Sequence, residues 1–425
     1  MLDLVLRGGR VVTDSSVAVV DVGIAGGEIV ALGGHLGEAA TEIDCSGALV
    51  GPGFVDVHTH VREPGQEWKE DVASASRAAV AGGYTAIVAM PNTDPAIDSS
   101  PIARFVVERG SEVGLLDVVA AGAITAGRHG TRLAHLDDLW DAGVRLFTDD
   151  GDAVADAAMM RRALEYIGDR GGVLAQHAVD PSLGAGAMHE GWVSSRLGLT
   201  GIPAVAETTI VARDLLLVAE TGCRYHVQHV AAAGTVELIA SAKDRGLPVT
   251  AEVTPHHLTF DHTAVLGTTD PVYKMMPPLR EPDDVAALRD ALRAGVLDMV
   301  ATDHAPHADH EKDVPFEEAP NGVTGLEWAA AAVNTATALD ERSFFEAMSA
   351  APARLVGLTD HGRYPAVGVP ANLVVFDPTV TWVPSETMSR SQNSPYLGRP
   401  LTGAVRATVV DGRVVWDTGG GADAP

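Results

Sequence analysis

Four histidines and two aspartates, spread over the middle of a 425-residue chain, have the types and spacing to bind metal. The most compact piece is "GFVDVHTHVREPG", Gly53 to Gly65, where His58 and His60 follow an apolar run. Residues i and i+2 of a strand share a face. On strict alternation His58 and His60 point one way with Asp56 behind them, and Val55 and Val57 point the other. Two imidazoles side by side at the end of a buried strand suit one metal ion. The chain has 16 histidines, so one such pair is unremarkable without support from elsewhere.

That support comes from the elements that must position it. Eight apolar segments read as strands: "FVDVH", "YTAIVAM", "LDVVAAG", "VRLFT", "VLAQH", "RYHVQH", "PVTAEVT" and "LDMVAT". Alanine-rich helical stretches such as "KEDVASASRAAVAGG" and "DVAALRDALRAG" separate them. This alternation implies βα units and a parallel sheet. Eight units imply a (β/α)8 barrel, an α/β fold of the TIM type, whose active site lies at the C-terminal ends of the strands. Polar residues with chemical capacity crowd those ends. Strand one ends in His58 and His60, and strand two runs into Asn92. Strand four ends in Asp150, strand five in His177, strand six in His229 and strand eight in Asp303.

Imidazole and carboxylate are the ligand set of zinc or a similar divalent ion. Six candidate ligands exceed what one catalytic ion uses, so one or two ions can be held. Bridged ions activate water and polarise a carbonyl, which is hydrolytic chemistry. The only lysines are Lys69, Lys243, Lys274 and Lys312, and none lies on strand four. A bridge between two ions therefore falls to Asp150. Arg62, fixed between a candidate ligand and Pro64-Gly65, has the planar fork that suits a carboxylate, with Asn92 beside it. The remaining histidines read differently. His35, His129, His135, His189, His262, His310 and His361 lie off the strand ends and read as surface. His226 faces the helices, His304 is a supporting or packing residue, and His256 and His257 fit either a supporting role or a plain loop. The segment "HAPHADHEKDVPFEEAPNGVTG" after strand eight has the composition of a mobile lid.

Both ends of the chain have a different texture. "LVLRGGRVV", "VDVGIAGGEIVAL" and "TEIDCSGALV" at the start, and "ANLVVFDP" and "GAVRATVVDGRVVWD" at the end, are short strands with turn signals. They predict a small β-sandwich domain from residues 1–50 and 366–425 around a barrel spanning 51–365. A formal charge of −27 argues against nucleic acid or an anionic membrane as partner. It also means that an anionic substrate needs positive charge supplied locally. Two cysteines cannot build a disulfide framework, which suits a reducing cytoplasm. The first residues lack the pattern of a signal peptide, and no apolar run is long enough to span a bilayer.

The strings "DVHTHVREPG", "MPNT", "FTDDG", "AEVTPHHL", "ATDHAPH" and "NSPYLGR" resemble the dihydroorotases, in the longer bacterial class of the amidohydrolase superfamily. The resemblance runs essentially end to end. "FTDDG" resembles the subgroup with aspartate in place of a carboxylated lysine. The resemblance implies zinc held by His58, His60, Asp150, His177, His229 and Asp303. It implies Arg62, Asn92 and His307 on the substrate carboxylate, and Asp303 as the catalytic acid and base. The implied reaction interconverts N-carbamoyl-L-aspartate and L-dihydroorotate in pyrimidine biosynthesis, in a cytoplasmic homo-oligomer, a dimer first, with aspartate transcarbamoylase as a possible associate. Met276 stands where the family usually has an asparagine that contacts the pyrimidine ring. Asn321 stands at a variable position beside the retained Gly322. Both predict altered substrate affinity or preference with hydrolysis intact. The competing readings are an allantoinase, hydantoinase or dihydropyrimidinase, and a non-catalytic dihydroorotase-like partner of aspartate transcarbamoylase. The first usually carries the strand-four lysine and lacks Arg-Glu-Pro-Gly; the second loses metal ligands, and here all six are filled.

Overall fold

The computed structural model describes residues 1–419. All eight expected barrel strands are present: β1 (Phe54–Thr59), β2 (Tyr84–Ala89), β3 (Asp117–Ala120), β4 (Leu146–Phe147), β5 (Val173–Gln176), β6 (Arg224–Val227), β7 (Val249–Val253) and β8 (Met299–Val300). Their ladders form two parallel arcs, β1-β2-β3 and β4-β5-β6-β7-β8. Two single parallel bridges close the ring, Gly122 to Phe147 between β3 and β4, and Thr59 to His304 beyond β8.

Val57, Val88, Leu146, Val173, Ala175 and Met299, from strands all round the ring, share one buried cluster with Ala351, Leu355 and Val356. The barrel is thus filled with apolar side chains and plugged by the helix Ala351–Val356. The other faces of the strands, including Ile87, Phe147, Leu174, Tyr225 and Ala251, pack in a second, larger core with the surrounding helices. Those helices start where the sequence provides caps. Asp71 accepts from the Ser74 N–H at 2.7 Å while the Ser74 hydroxyl accepts from the Asp71 N–H, opening Val72–Ala81. Pro282 opens Pro282–Arg293, where its missing N–H costs nothing.

Strict alternation fails on β1. Between Asp56 and Thr59 the register against β2 slips, so three steps on β1 face two on β2. Such a bulge re-aims side chains. It lets Val57 stay in the apolar interior while His58 still enters the site. Asp56 does not face the site with the histidines. Its carboxylate accepts from Thr302 N–H (2.9 Å), Thr302 hydroxyl (2.6 Å) and Thr59 hydroxyl (2.5 Å), stitching β1 to the end of β8.

Strands from both termini form one further sheet of eight strands. Leu2–Val12 is long enough to serve two neighbours on one edge, pairing in parallel with Ala39–Asp44 and then with Leu49–Pro52. Leu373–Trp382 from the C-terminal part pairs with Leu49–Pro52 and joins the two ends of the chain. The Asp411-Gly412 dipeptide within "GAVRATVVDGRVVWD" turns a hairpin, with both residues at positive φ, as a two-residue turn of this kind requires. The sheet encloses its own apolar core of residues such as Leu6, Val22, Ile24, Val50, Leu373 and Val409. No helix among the described residues is long and apolar enough to cross a membrane.

Candidate active site

Asp150, just beyond β4, sits at the centre of the expected cluster. Its carboxylate oxygens lie 3.2 Å from His58 Nε2, 3.4 Å from His60 Nε2, 3.4 Å from His177 Nδ1 and 3.5 Å from His229 Nε2. Asp303 stands opposite, 3.0 Å from His60 Nε2 and 3.5 Å from His58 Nε2. All six side chains are buried. Two trios, His58/His60/Asp303 and His58/Asp150/His229, each bring one ligand atom per residue within 4.8 Å of the others, so these groups could hold metal. His58 Nε2 and Asp150 Oδ1 face each other without a hydrogen-bond partner. A cation between them satisfies both, and four imidazoles around one carboxylate suit a divalent ion.

Electrostatics agree with that arrangement. Burial opposes ionisation of Asp150, yet His58, His177 and His229 hold its carboxyl well below the usual range. Asp303 is likewise lowered against its burial, chiefly by His58 and His60. Asp303 and His229 both occupy the left-handed region, at φ 45° and 34°, as does Arg62 at 59°. Non-glycine residues held there store strain that clusters at functional sites.

The imidazoles are aimed by partners behind them. His58 Nδ1 donates to Glu252 Oε1 at 2.6 Å, which frees Nε2 for the site. Glu252 also accepts from His226 Nε2 at 3.0 Å and from the His229 backbone N–H at 3.2 Å. His60 Nδ1 donates to Asn92 Oδ1 at 2.7 Å. Carboxylate or carbonyl acceptors of this kind fix the tautomer of a metal-binding histidine. His226 therefore turns inward to Glu252 and does not face the helices, because β6 and β7 are adjacent and both are polar at this level.

Beside the cluster a cavity of about 460 Å³ is lined by Arg62, Asn92, Met276, His307, Asn321 and Gly322 as well as His60, Asp150, His177, His229 and Asp303. Every substrate-side residue expected from the sequence is on its wall. Arg62 is buried, with its Nε donating to the Pro306 carbonyl at 3.2 Å. Burial pulls its guanidinium down to about 10, so it remains charged at neutral pH. Burial, with Arg62 and two lysines, pushes His307 down to about 2, and its neutral ring donates through Nε2 to the Asn321 carbonyl at 2.8 Å. Gly322 has φ 138°, and a Cβ there would stand 2.7 Å from the Ala305 Cβ and 3.0 Å from His307 Nε2. Gly65 is needed for a similar reason, since a Cβ would lie 2.0 Å from the Asp94 carbonyl oxygen.

The segment after β8 is fastened at several points, contrary to a free lid. Lys312 Nζ donates to the carbonyls of Pro271 (3.0 Å), Lys274 (3.3 Å) and Pro320 (2.8 Å). Asn393, from "NSPYLGR", bonds to His307 N–H and to the Ala305 and Gly322 carbonyls. Sequence reading also missed Glu252 and Arg128; Arg128 lines the cavity paired with Asp152 at 2.6 Å. A glutamate inside a strand that otherwise reads as apolar was the one available signal for Glu252. His189, His262 and His361 are buried, not surface residues. His256 and His257 lie in the short helix Pro255–Thr259, where His257 bridges Thr254 and the Pro277 carbonyl. His304 supports the loops as expected, through Glu70 and the Gly325 N–H.

Residues 47–234 match the family model "Dihydro-orotase-like". The chain is 46% identical to a dihydroorotase from Mycobacterium leprae, over 97% of this chain and 98% of the relative. It is 48% identical to a dihydroorotase from Mycobacterium tuberculosis, over 93% and 94%. Among solved structures it is similar to the L-hydantoinase (dihydropyrimidinase) from Arthrobacter aurescens, with TM-score 0.88 and 25% identity over 98% of this chain and 96% of that one. The dihydropyrimidinase from Brevibacillus agri gives TM-score 0.83 at 25% identity, over 98% and 95%.

Proposed function

The chain belongs to the dihydroorotase family, and from that premise we propose that it hydrolyses the ring amide of L-dihydroorotate and, in the biosynthetic direction, closes N-carbamoyl-L-aspartate. The observation that carries this reading is the buried, charged Arg62 on the wall of a cavity whose other wall is the histidine–aspartate cluster. A cyclic amide with a carboxylate fits both walls at once. It also resolves how a chain of charge −27 takes an anion.

His58, His60, Asp150, His177, His229 and Asp303 would hold one or two zinc ions, with Asp150 as the bridge. When bound, the metal would supply Lewis acidity and lower the pKa of water. The chain's own groups do the rest. Arg62 and the amide nitrogen of Asn92 take the substrate carboxylate, and Asn92 keeps its oxygen on His60. His307, Asn321 and Gly322 close the carboxylate side, and Met276 lies against the ring. Asp303 accepts the proton of the attacking water as the C–O bond forms. It returns that proton to the ring nitrogen as the C–N bond breaks. Ring closure runs through the same groups in reverse and releases water.

The hydantoinase-like structures share the fold, and their names support a second reading as a different cyclic-amide hydrolase. That reading leaves Arg62 without a carboxylate to bind. Replacing Arg62 with Met separates the two. Loss of a buried charge-assisted contact should lower kcat/KM on dihydroorotate by about 30-fold or more, roughly 2 kcal/mol. Activity on uncharged dihydrouracil or hydantoin should stay low in both proteins. Faster turnover of hydantoin than of dihydroorotate by the unsubstituted enzyme would overturn the assignment. The proposal extends to residues 51–365 as the catalytic barrel with 1–50 and 366–425 as the small domain, of which 420–425 lie outside the described residues, to a cytoplasmic homodimer, and to aspartate transcarbamoylase as an associate.

A further inference from the structure

A second group of metal-ligating side chains lies away from the catalytic cluster. His189 is on the short strand Met188–His189, His262 opens the turn His262–Val265, and Glu281 caps the helix Pro282–Arg293. One ligand atom from each lies within 4.8 Å of the other two. The two imidazole rings are 5.3 Å apart, and His189 Nε2 is 3.8 Å from Glu281 Oε1. His262 is only 1% exposed, and neither ring nitrogen has a hydrogen-bond partner. A buried imidazole with a free lone pair and a free N–H is costly unless something completes it. Glu281 is half exposed, which leaves an entry path and room for water. Gly191 runs alongside both ligand atoms: a Cβ there would lie in ordinary contact, 3.4 Å from Glu281 Oε1 and 3.6 Å from His189 Nε2.

We propose that His189, His262 and Glu281 form a second site for a zinc-type divalent ion, with water as the fourth ligand. Two histidines and a glutamate are a known zinc set. The neighbouring charges also permit a cation. Arg280 is countered by Glu207 and Asp284, which both act on it, and Glu281 adds a third negative charge. Arg280 Nη1 now donates to His189 Nδ1 at 3.2 Å. Coordination through Nε2 moves the ring proton to Nδ1, so that contact must be released. Arg280 retains the Ile202 carbonyl at 2.8 Å, and its Nη2 lies 4.0 Å from Glu207 Oε2, an oxygen without a partner. The ion would tie the segment after β5 to the segment that carries Met276.

The test is a Co²⁺ titration of the full-length, zinc-loaded enzyme, with zinc and cobalt both counted. The Trp192 ring stands edge-on to His262 at 5.8 Å, so a bound paramagnetic ion should quench its fluorescence. The expected result is one more divalent ion per chain, zinc and cobalt counted together, than Glu281→Gln holds, and quenching that Trp192→Phe removes while uptake persists. His262→Gln and Glu281→Gln should each weaken that uptake at least tenfold while dihydroorotate hydrolysis continues. Glu281 is at the surface, so its variant reads the site even where the His262 variant fails to fold. A metal total, zinc and cobalt counted together, that is unchanged in Glu281→Gln would overturn the proposal.

Discussion

Replacing Glu252 with Gln tests whether the cluster depends on the groups behind it. Glu252 is buried and serves three donors: His58 Nδ1, His226 Nε2 and the His229 backbone N–H. Glutamine can keep Oε1 on His58 and on the His229 N–H. Its amide nitrogen then faces His226, whose proton can move to Nδ1 and donate to Thr250 Oγ1, 2.9 Å away. The number of hydrogen bonds is preserved, so the loss is the charge. Hydrogen bonds to a charged group contribute about 1.5–3 kcal/mol against about 0.5–1.5 for neutral ones. A difference of about 1–2 kcal/mol means roughly 5–30-fold weaker metal binding, in line with about 10–100-fold for partners of this kind. Alanine is a different perturbation, because it strands three buried donors at about 1–3 kcal/mol each. That total approaches the whole stability of a domain, about 5–15 kcal/mol, so Glu252→Ala should not fold stably. Competition with a chelator of known affinity, on folded Glu252→Gln, reads the effect directly. Metal affinity equal to that of the unsubstituted protein would refute the reasoning that Glu252 aims His58.

Met276→Asn should lower KM for dihydroorotate by about fivefold, near 1 kcal/mol for one regained hydrogen bond, and steady-state kinetics with unchanged KM would remove that role for position 276. Lys312→Met tests the fastening of the segment after β8. Burial, with Lys274, lowers Lys312 from 10.5 to about 7. Between those values the unfolded chain binds a proton that the folded one does not. Stability therefore rises with pH across this window, by up to about 1.4 kcal/mol per unit, and is lost as pH falls through 7. The methionine variant should lack that slope in urea unfolding at pH 7 and pH 9; matching slopes would contradict the assignment.

The barrel and its histidine–aspartate cluster were readable because both follow from local pattern. Each strand announces itself as an apolar run, and His58, His60, Asp150, His177, His229 and Asp303 interrupt those runs where the barrel places its active site. Residues that act across long separations were not readable. Glu252 meets His58 across 194 positions and Asn393 meets His307 across 86, and no local periodicity encodes such pairs. The β1 bulge also leaves no mark in "FVDVHT", because its cause is the closure of β1 on both neighbours. His189 and His262 read as surface residues because irregular segments carry no repeating apolar face; in the fold Trp192 stands against His262 and Arg280 against His189. Gly322 and Gly65 were legible as types only. Their reasons are the Ala305 and Asp94 backbones that approach within a side chain's width.

Turnover of a carboxylated cyclic amide should depend on metal held by Asp150 and the five side chains around it. The most direct measurement is dihydroorotate hydrolysis, followed by ultraviolet absorbance, on protein whose metal content is determined in the same sample, before chelation, after it and after adding zinc back. Metal should be bound as isolated, turnover should vanish with its removal, and zinc should restore it. Undiminished turnover by metal-free protein would contradict that dependence.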